Sequence, residues 1–179
     1  MTESFQGSVW TWRGAYLLVV VALVFLRLLP LPAEAGRWPG PDLVLCLTCA
    51  WVLRRPDYVP ALLIGLVALV EDLILMRPPG LWAALMLLGT EFLRGRASFS
   101  RELTFVTEWV MVAIVMTAMT LGYRLVLAVV MLPQPGVSLT LVQTVGTIMA
   151  YPVVVGVSRL LAGLRKPATG EVDARGRRL

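Results

Sequence analysis

The chain has 179 residues, 58% of them hydrophobic, with 16 lysines and arginines against 11 acids and a net charge of +5. Its mean hydropathy is +0.80 and its apolar share exceeds the roughly 45–50% of soluble domains; the basic residues punctuate apolar runs and form no surface stripe, which points to a membrane protein and away from a nucleic-acid binder. There is no histidine, which excludes histidine-based triads and histidine-ligated metal sites.

A spanning helix needs about 20 mostly apolar residues, and six apolar segments can be read in chain order. The first runs from about Arg13 to Leu31, carries Arg27 and stops at Pro30 and Pro32. With the following Ala33-Glu34-Ala35 it resembles a signal peptide, but its apolar core is longer than the usual ~7–15 residues and is interrupted by Arg27, so a retained helix is expected. The second, about Pro41 to Arg55, is short and holds Cys46 and Cys49 in a C-x-x-C. A thiolate is disfavoured in so apolar a run, and both read as small packing residues. The third spans about Val59 to Met76 and the fourth about Pro79 to Arg96. Segments two and four are short for a span and must tilt, thin the bilayer or be shielded by neighbours.

Ser100 is placed to cap the fifth helix, with Glu102 in its first turn. That helix lies within Leu103 to Leu132, and Trp109 is expected at headgroup level. Pro133, Pro135 and Gly136 form a turn before the sixth, about Val137 to Leu164. Residues 1–164 therefore read as a single membrane domain of the all-α class, with about six transmembrane helices. Residues 165–179 read as a disordered basic cytoplasmic tail drawn to anionic lipid.

Orientation follows from the basic residues of short loops. With the N-terminus in the cytoplasm, eleven lie inside (Arg13; Arg54 and Arg55; Arg94, Arg96 and Arg101; Arg165, Lys166, Arg175, Arg177 and Arg178), and only Arg37 and Arg77 lie outside. Arg27, Arg124 and Arg159 fall within spans. Six spans return the C-terminus to the cytoplasm.

The third segment contains adjacent carboxylates, Glu71 and Asp72, each costing at least ~2.5 kcal/mol at membrane depth. Ala61, Gly65, Ala68 and Asp72 share one helix face, a small-residue stripe that lets another helix approach. Glu71 lies ~100° away, beside Ile64 and Val67. Counting ~1.5 Å per residue from the inner ends puts Arg27, Glu71, Asp72 and Arg124 at similar heights, ~20–22 Å up. They are expected to form a buried charge network joining helices one, three and five; snorkelling of the acids to the interface is the alternative. Near the inner ends, Glu91, Glu108 and Arg159 are either a second cluster or three independent snorkelling groups. No nucleophile sits with a recognisable base and no metal-ligand set or phosphate loop appears, so neither catalysis nor a cofactor is expected.

A helix ending G-x6-D-L (Gly65, Asp72, Leu73), followed by Pro79-Gly80-Leu81 opening another helix, resembles the rod shape-determining MreD family. The preceding PDLVLCLTCAWVLRRPDYVPALLIG resembles its alphaproteobacterial branch. The likeness covers the whole chain in length and spacing and is sharpest over residues 41 to 94; Glu71 stands outside the family pattern. The resemblance implies a non-catalytic subunit of the cell-elongation machinery in the bacterial inner membrane. Its partners would be MreC, MreB filaments, and a RodA-type glycosyltransferase with its class B penicillin-binding transpeptidase. It also implies a fold similar to the substrate-binding subunits of energy-coupling-factor transporters. A partner's helix would dock on Gly65/Ala68 or on the Gly122 and Gly146 regions, which serve internal packing equally well, and a second copy of the chain is a further candidate partner. The competing class is the membrane-embedded binding subunit of a vitamin-type transporter, which would need a polar pocket facing outward.

Overall fold

The computed structural model describes residues 2–29, 39–97 and 104–162, with side chains from residue 9 to 160. Among these residues the secondary structure is helical: α1 (Thr2–Leu28), α2 (Leu43–Arg54), a 3-10 turn (Pro56–Tyr58), α3 (Ala61–Ile74), α4 (Leu81–Gly95), α5 (Phe105–Val129) and α6 (Val137–Ala162). Each α-helix falls on one of the six apolar segments, and the 3-10 turn lies between the second and the third. The Pro30/Pro32 stop, Ala33-Glu34-Ala35, the Ser100 cap with Glu102, and the tail at 165–179 lie outside the described residues.

The helices divide by length. Val9–Leu28, Phe105–Val129 and Val137–Leu160 are long and apolar enough to cross a membrane. The 12, 14 and 15 residues of α2, α3 and α4 span only ~18–23 Å, less than the ~30 Å hydrocarbon core. For α2 the remedy is shielding. Every residue from Val44 to Arg54 is buried, because α2 packs on α6 and α4, with α1 and the 3-10 turn against it. α5 closes the ring by packing on both α4 and α6, and α3 lies outside against α4. The shared core runs from Tyr16 and Val20 on α1, through Cys49 and Trp51 on α2, to Tyr151 and Val155 on α6. The opposite surface is an apolar belt that includes Leu18, Leu62, Leu88, Ile114, Leu125 and Val153, all exposed.

Two local devices shape the ends. α3 and α5 stop in the same way. Arg77 N–H donates to Asp72 O and Leu132 N–H to Leu127 O, both at 2.9 Å, and a methionine takes the left-handed position in each (Met76 φ 53°, Met131 φ 57°). This is the Schellman arrangement, with proline following where a helix cannot continue. Within α6, Pro152 cannot donate to the carbonyl four residues back, and the Trp109 indole N–H takes that Ile148 carbonyl at 2.8 Å. Trp109 is thus half-buried between α5 and α6, not simply a headgroup marker, because in a membrane a freed backbone acceptor needs a protein donor.

Candidate functional site

The adjacent carboxylates of α3 serve different neighbours, as their ~100° separation requires. Glu71, 1% exposed, accepts from Arg27 Nη1 of α1 at 2.8 Å. The same guanidinium stands 3.7 Å from Asp42, whose Oδ1 caps α2 by accepting from Leu45 N–H at 3.0 Å. Asp42 N–H in turn donates to Thr147 Oγ1 of α6 at 2.9 Å. One arginine thereby ties α1 to α3 and to the start of α2.

Asp72 faces α4. Its Oδ2 accepts from Gly80 N–H at 3.0 Å and Ala83 N–H at 3.3 Å, two donors at the start of that helix with no intrahelical partner. Gly80 is the N-cap at φ 87°, a conformation open to glycine and strained for other residues, and it has no side chain of its own to cap with. Asp72 supplies the missing cap from eight residues upstream. The Asp and the Pro-Gly turn, separate in the sequence, form one physical unit.

Arg124 does not join the acids. It donates to Pro135 O at 3.0 Å and Thr140 Oγ1 at 2.8 Å, holding the α5–α6 turn. The expected four-member network is therefore a pair (Arg27 and Glu71) with Asp42 added, a cap (Asp72) and a separate turn brace (Arg124). Helix spacing places a residue along its own axis but does not fix the azimuth of α5 against its neighbours.

The opposite end of the bundle is arranged otherwise. Arg54 and Glu108, both fully buried, meet at 2.9 Å, and the Tyr151 hydroxyl donates to the same Glu108 oxygen at 2.8 Å. This joins α2, α5 and α6. The grouping of Glu91, Glu108 and Arg159 is corrected: Glu91 pairs with Arg94 at 2.9 Å, and Arg159 stands over the Phe105 ring at 5.8 Å. Arg54, read as a loop cation, ends α2 in the core. Arg94 also closes the 3-10 turn, donating to Pro56 O at 2.8 Å and Val59 O at 2.6 Å.

Of the small-residue positions, Gly65, Ala68 and Gly122 pack internally. Ala68 is fully buried, and Ala61 is half-buried. A Cβ at Gly65 would meet Leu87 of α4 at 3.2 Å, and one at Gly122 would meet Leu85 at 3.3 Å. The Gly65/Ala68 stripe is thus covered by α4 and does not form an open partner face. Gly146 has nothing within 4 Å. The closest approach belongs to a glycine outside those expectations: a Cβ at Gly89 would lie 2.5 Å from Met119 Sδ. The residues four positions to either side of it are Leu85 and Leu93, so no small-xxx-small pattern signals this contact. Cys46 and Cys49 are free and buried, with Cys46 Sγ donating to Thr147 O at 3.2 Å.

On the side of the Asp72 cap, a cavity of about 180 Å³ opens between α2, α4, α5 and α6, lined by Asp42, Arg77, Trp82, Tyr123, Arg124 and Gln143 among others. Trp82 is 8% exposed and its indole N–H has no hydrogen-bond partner. The Arg77 guanidinium lies 5.4 Å from the centre of the Trp82 ring. Among the described residues no three His, Cys, Asp or Glu side chains group as metal ligands. No protein-family model, curated protein or solved structure matches this chain.

Proposed function

We propose that the chain is a non-catalytic scaffold of the rod-shape complex in the bacterial inner membrane, binding MreC and supporting the RodA-type synthase with its class B transpeptidase. The observation that carries this reading is the Asp72 lock. The residues that resemble the MreD family, Asp72 and Pro79-Gly80, are in hydrogen-bonded contact, so the pattern has a physical reason to exist as a unit. Both termini face the cytoplasm, six helices traverse or enter the bilayer in the manner of energy-coupling-factor binding subunits, and the basic charge of residues 165–179 favours anionic lipid. Burial of Arg54 removes one residue from the inside count and leaves the bias intact.

With the Gly65/Ala68 stripe covered, the surface best suited to a partner's single helix is the apolar groove between α4 and α5. It holds about 550 Å³ and is lined by Leu88, Phe92, Val110 and Ile114, with Gly89 at its base. The transporter alternative draws support from the cavity beside Trp82, but 180 Å³ falls short of the roughly 300–1,000 Å³ typical of small-molecule sites.

The test is recovery of the tagged chain from native membrane in mild detergent, with its companions identified by mass spectrometry. A single-span protein with a large extracytoplasmic domain, together with the elongation synthase, is expected. Recovery with an ATPase module would overturn the scaffold reading.

A further inference from the structure

We infer that the cavity between α2, α4, α5 and α6 is a binding site for a phosphate-bearing group. Its electrostatics are lopsided. Arg77 and Arg124 both line it, and neither forms an ion pair among the described residues. The one carboxylate in the wall, Asp42, is already engaged by Leu45 N–H and by Arg27. Glu71 and Asp72 stand within electrostatic reach of this end but make no contact pair with Arg77 or Arg124. A guanidinium without a contact counter-ion in a partly enclosed, low-dielectric wall attracts an anion more strongly than it would in water.

The neutral lining adds donors. The Trp82 indole N–H is buried without a partner, and such a group costs about 1–3 kcal/mol unless something accepts from it. Tyr123 and Gln143 place a hydroxyl and an amide on the same wall. The threonines are not donors to a ligand: Thr140, for example, donates to Gly136 O and accepts from Arg124, so it aims the guanidinium. Two planar forks and one fixed N–H around a cavity suit the tetrahedral oxygens of a phosphate.

Size sets the class. At roughly 30 Å³ per water, 180 Å³ equals about six water volumes. That is room for a phosphate with a short polar substituent. The shared chemistry is a phosphate ester, supplied either by an anionic lipid headgroup or by a small soluble molecule. The site does not depend on the scaffold role proposed above.

The test uses the full chain in a neutral maltoside micelle, with thermal unfolding followed at constant ionic strength. The probes are inorganic phosphate, glycerol 3-phosphate and dihexanoyl phosphatidylglycerol; chloride and dihexanoylglycerol are the controls. A site ligand raises Tm as its concentration passes its Kd. At least one phosphate probe is expected to raise Tm beyond its control, with Arg77→Gln and Arg124→Gln each shifting the half-saturating concentration at least tenfold. A response to glycerol 3-phosphate assigns the soluble source, and a response to phosphatidylglycerol alone assigns the headgroup. Arg124→Gln removes a turn brace and can weaken folding; Arg77→Gln and Trp82→Phe then carry the test, since Arg77→Gln leaves the backbone bond to Asp72 in place and Trp82→Phe deletes only the N–H donor and part of the ring. The inference is overturned if no phosphate probe exceeds its control, or if the variants respond like the unmodified chain.

Discussion

The two ends of this bundle solve the same problem, charge inside an apolar protein, in opposite ways. At the end where α2 finishes, Arg54 and Glu108 are both fully buried, and Tyr151 completes the contact. At the other end, Arg27 is 27% exposed while it holds Glu71, Asp72 serves as a cap, and two further arginines line an open cavity. The first is buried and ties α2, α5 and α6 together. The second is partly solvated, and the proposed phosphate site lies there, where two arginines make no ion pair among the described residues.

Breaking the sealed end should have the largest effect. Glu108→Leu strands Arg54 in the core and is expected to destabilise by about 3–5 kcal/mol, read as a lowered Tm or as failure to fold in detergent. Adding Arg54→Met should restore part of the loss, because it removes the stranded charge while the buried Tyr151 hydroxyl still lacks its acceptor. A Glu108→Leu chain that melts with the unmodified one would remove the distinction between the ends.

At the open end, Asp72→Ala should cost about 1–2 kcal/mol, the range for losing a helix cap. Amide exchange at Gly80 and Ala83 should quicken with it, and Asp72→Asn should lose less, since its amide oxygen still accepts. Unchanged exchange at those two amides would mean that the cap is not what holds α4 to α3.

Smaller effects sharpen the picture between the ends. Gly89→Ala should lose about 1 kcal/mol through overpacking against Met119 and Val115, at the mild end for such changes. Gly146→Ala, with open space around it, should stay within about 0.5 kcal/mol. The contrast identifies which glycine carries a helix crossing, by thermal unfolding of the two variants side by side. The smallest change is none at all: Cys46 and Cys49, buried beside Thr147, should resist a water-soluble maleimide until the protein is unfolded.

Much of this was legible along the chain and little of it across the chain. Apolar runs located the six α-helices of the described residues, because length and hydropathy are properties of one segment. Glu71 and Asp72 announced themselves because charge is conspicuous in an apolar run, and helical periodicity separated their faces. Arg54 gave no such signal. It stands beside Arg55 and Pro56, where a basic pair reads as a loop, and only the packing of α5 and α6 around α2 makes it a core residue. Asp42 and Trp109 were hidden for the same reason: the Thr147 hydroxyl and the Ile148 carbonyl they meet lie about 40 to 105 residues away. Azimuth around a helix axis, which decides whether Arg124 meets an acid or a turn, is fixed by neighbours and has no local trace in α5.

The most direct test is a pair of double-mutant cycles on unfolding free energy, one for Arg54 with Glu108 and one for Arg27 with Glu71, using Met for arginine and Leu or Gln for glutamate. Contacting pairs couple by about 0.5–3 kcal/mol. The sealed pair should couple more strongly than the partly solvated one, with each single variant at Arg54 or Glu108 worse than the double. Equal coupling at the two ends, or stronger coupling at Arg27 and Glu71, would contradict the division between a closed structural end and an open functional one.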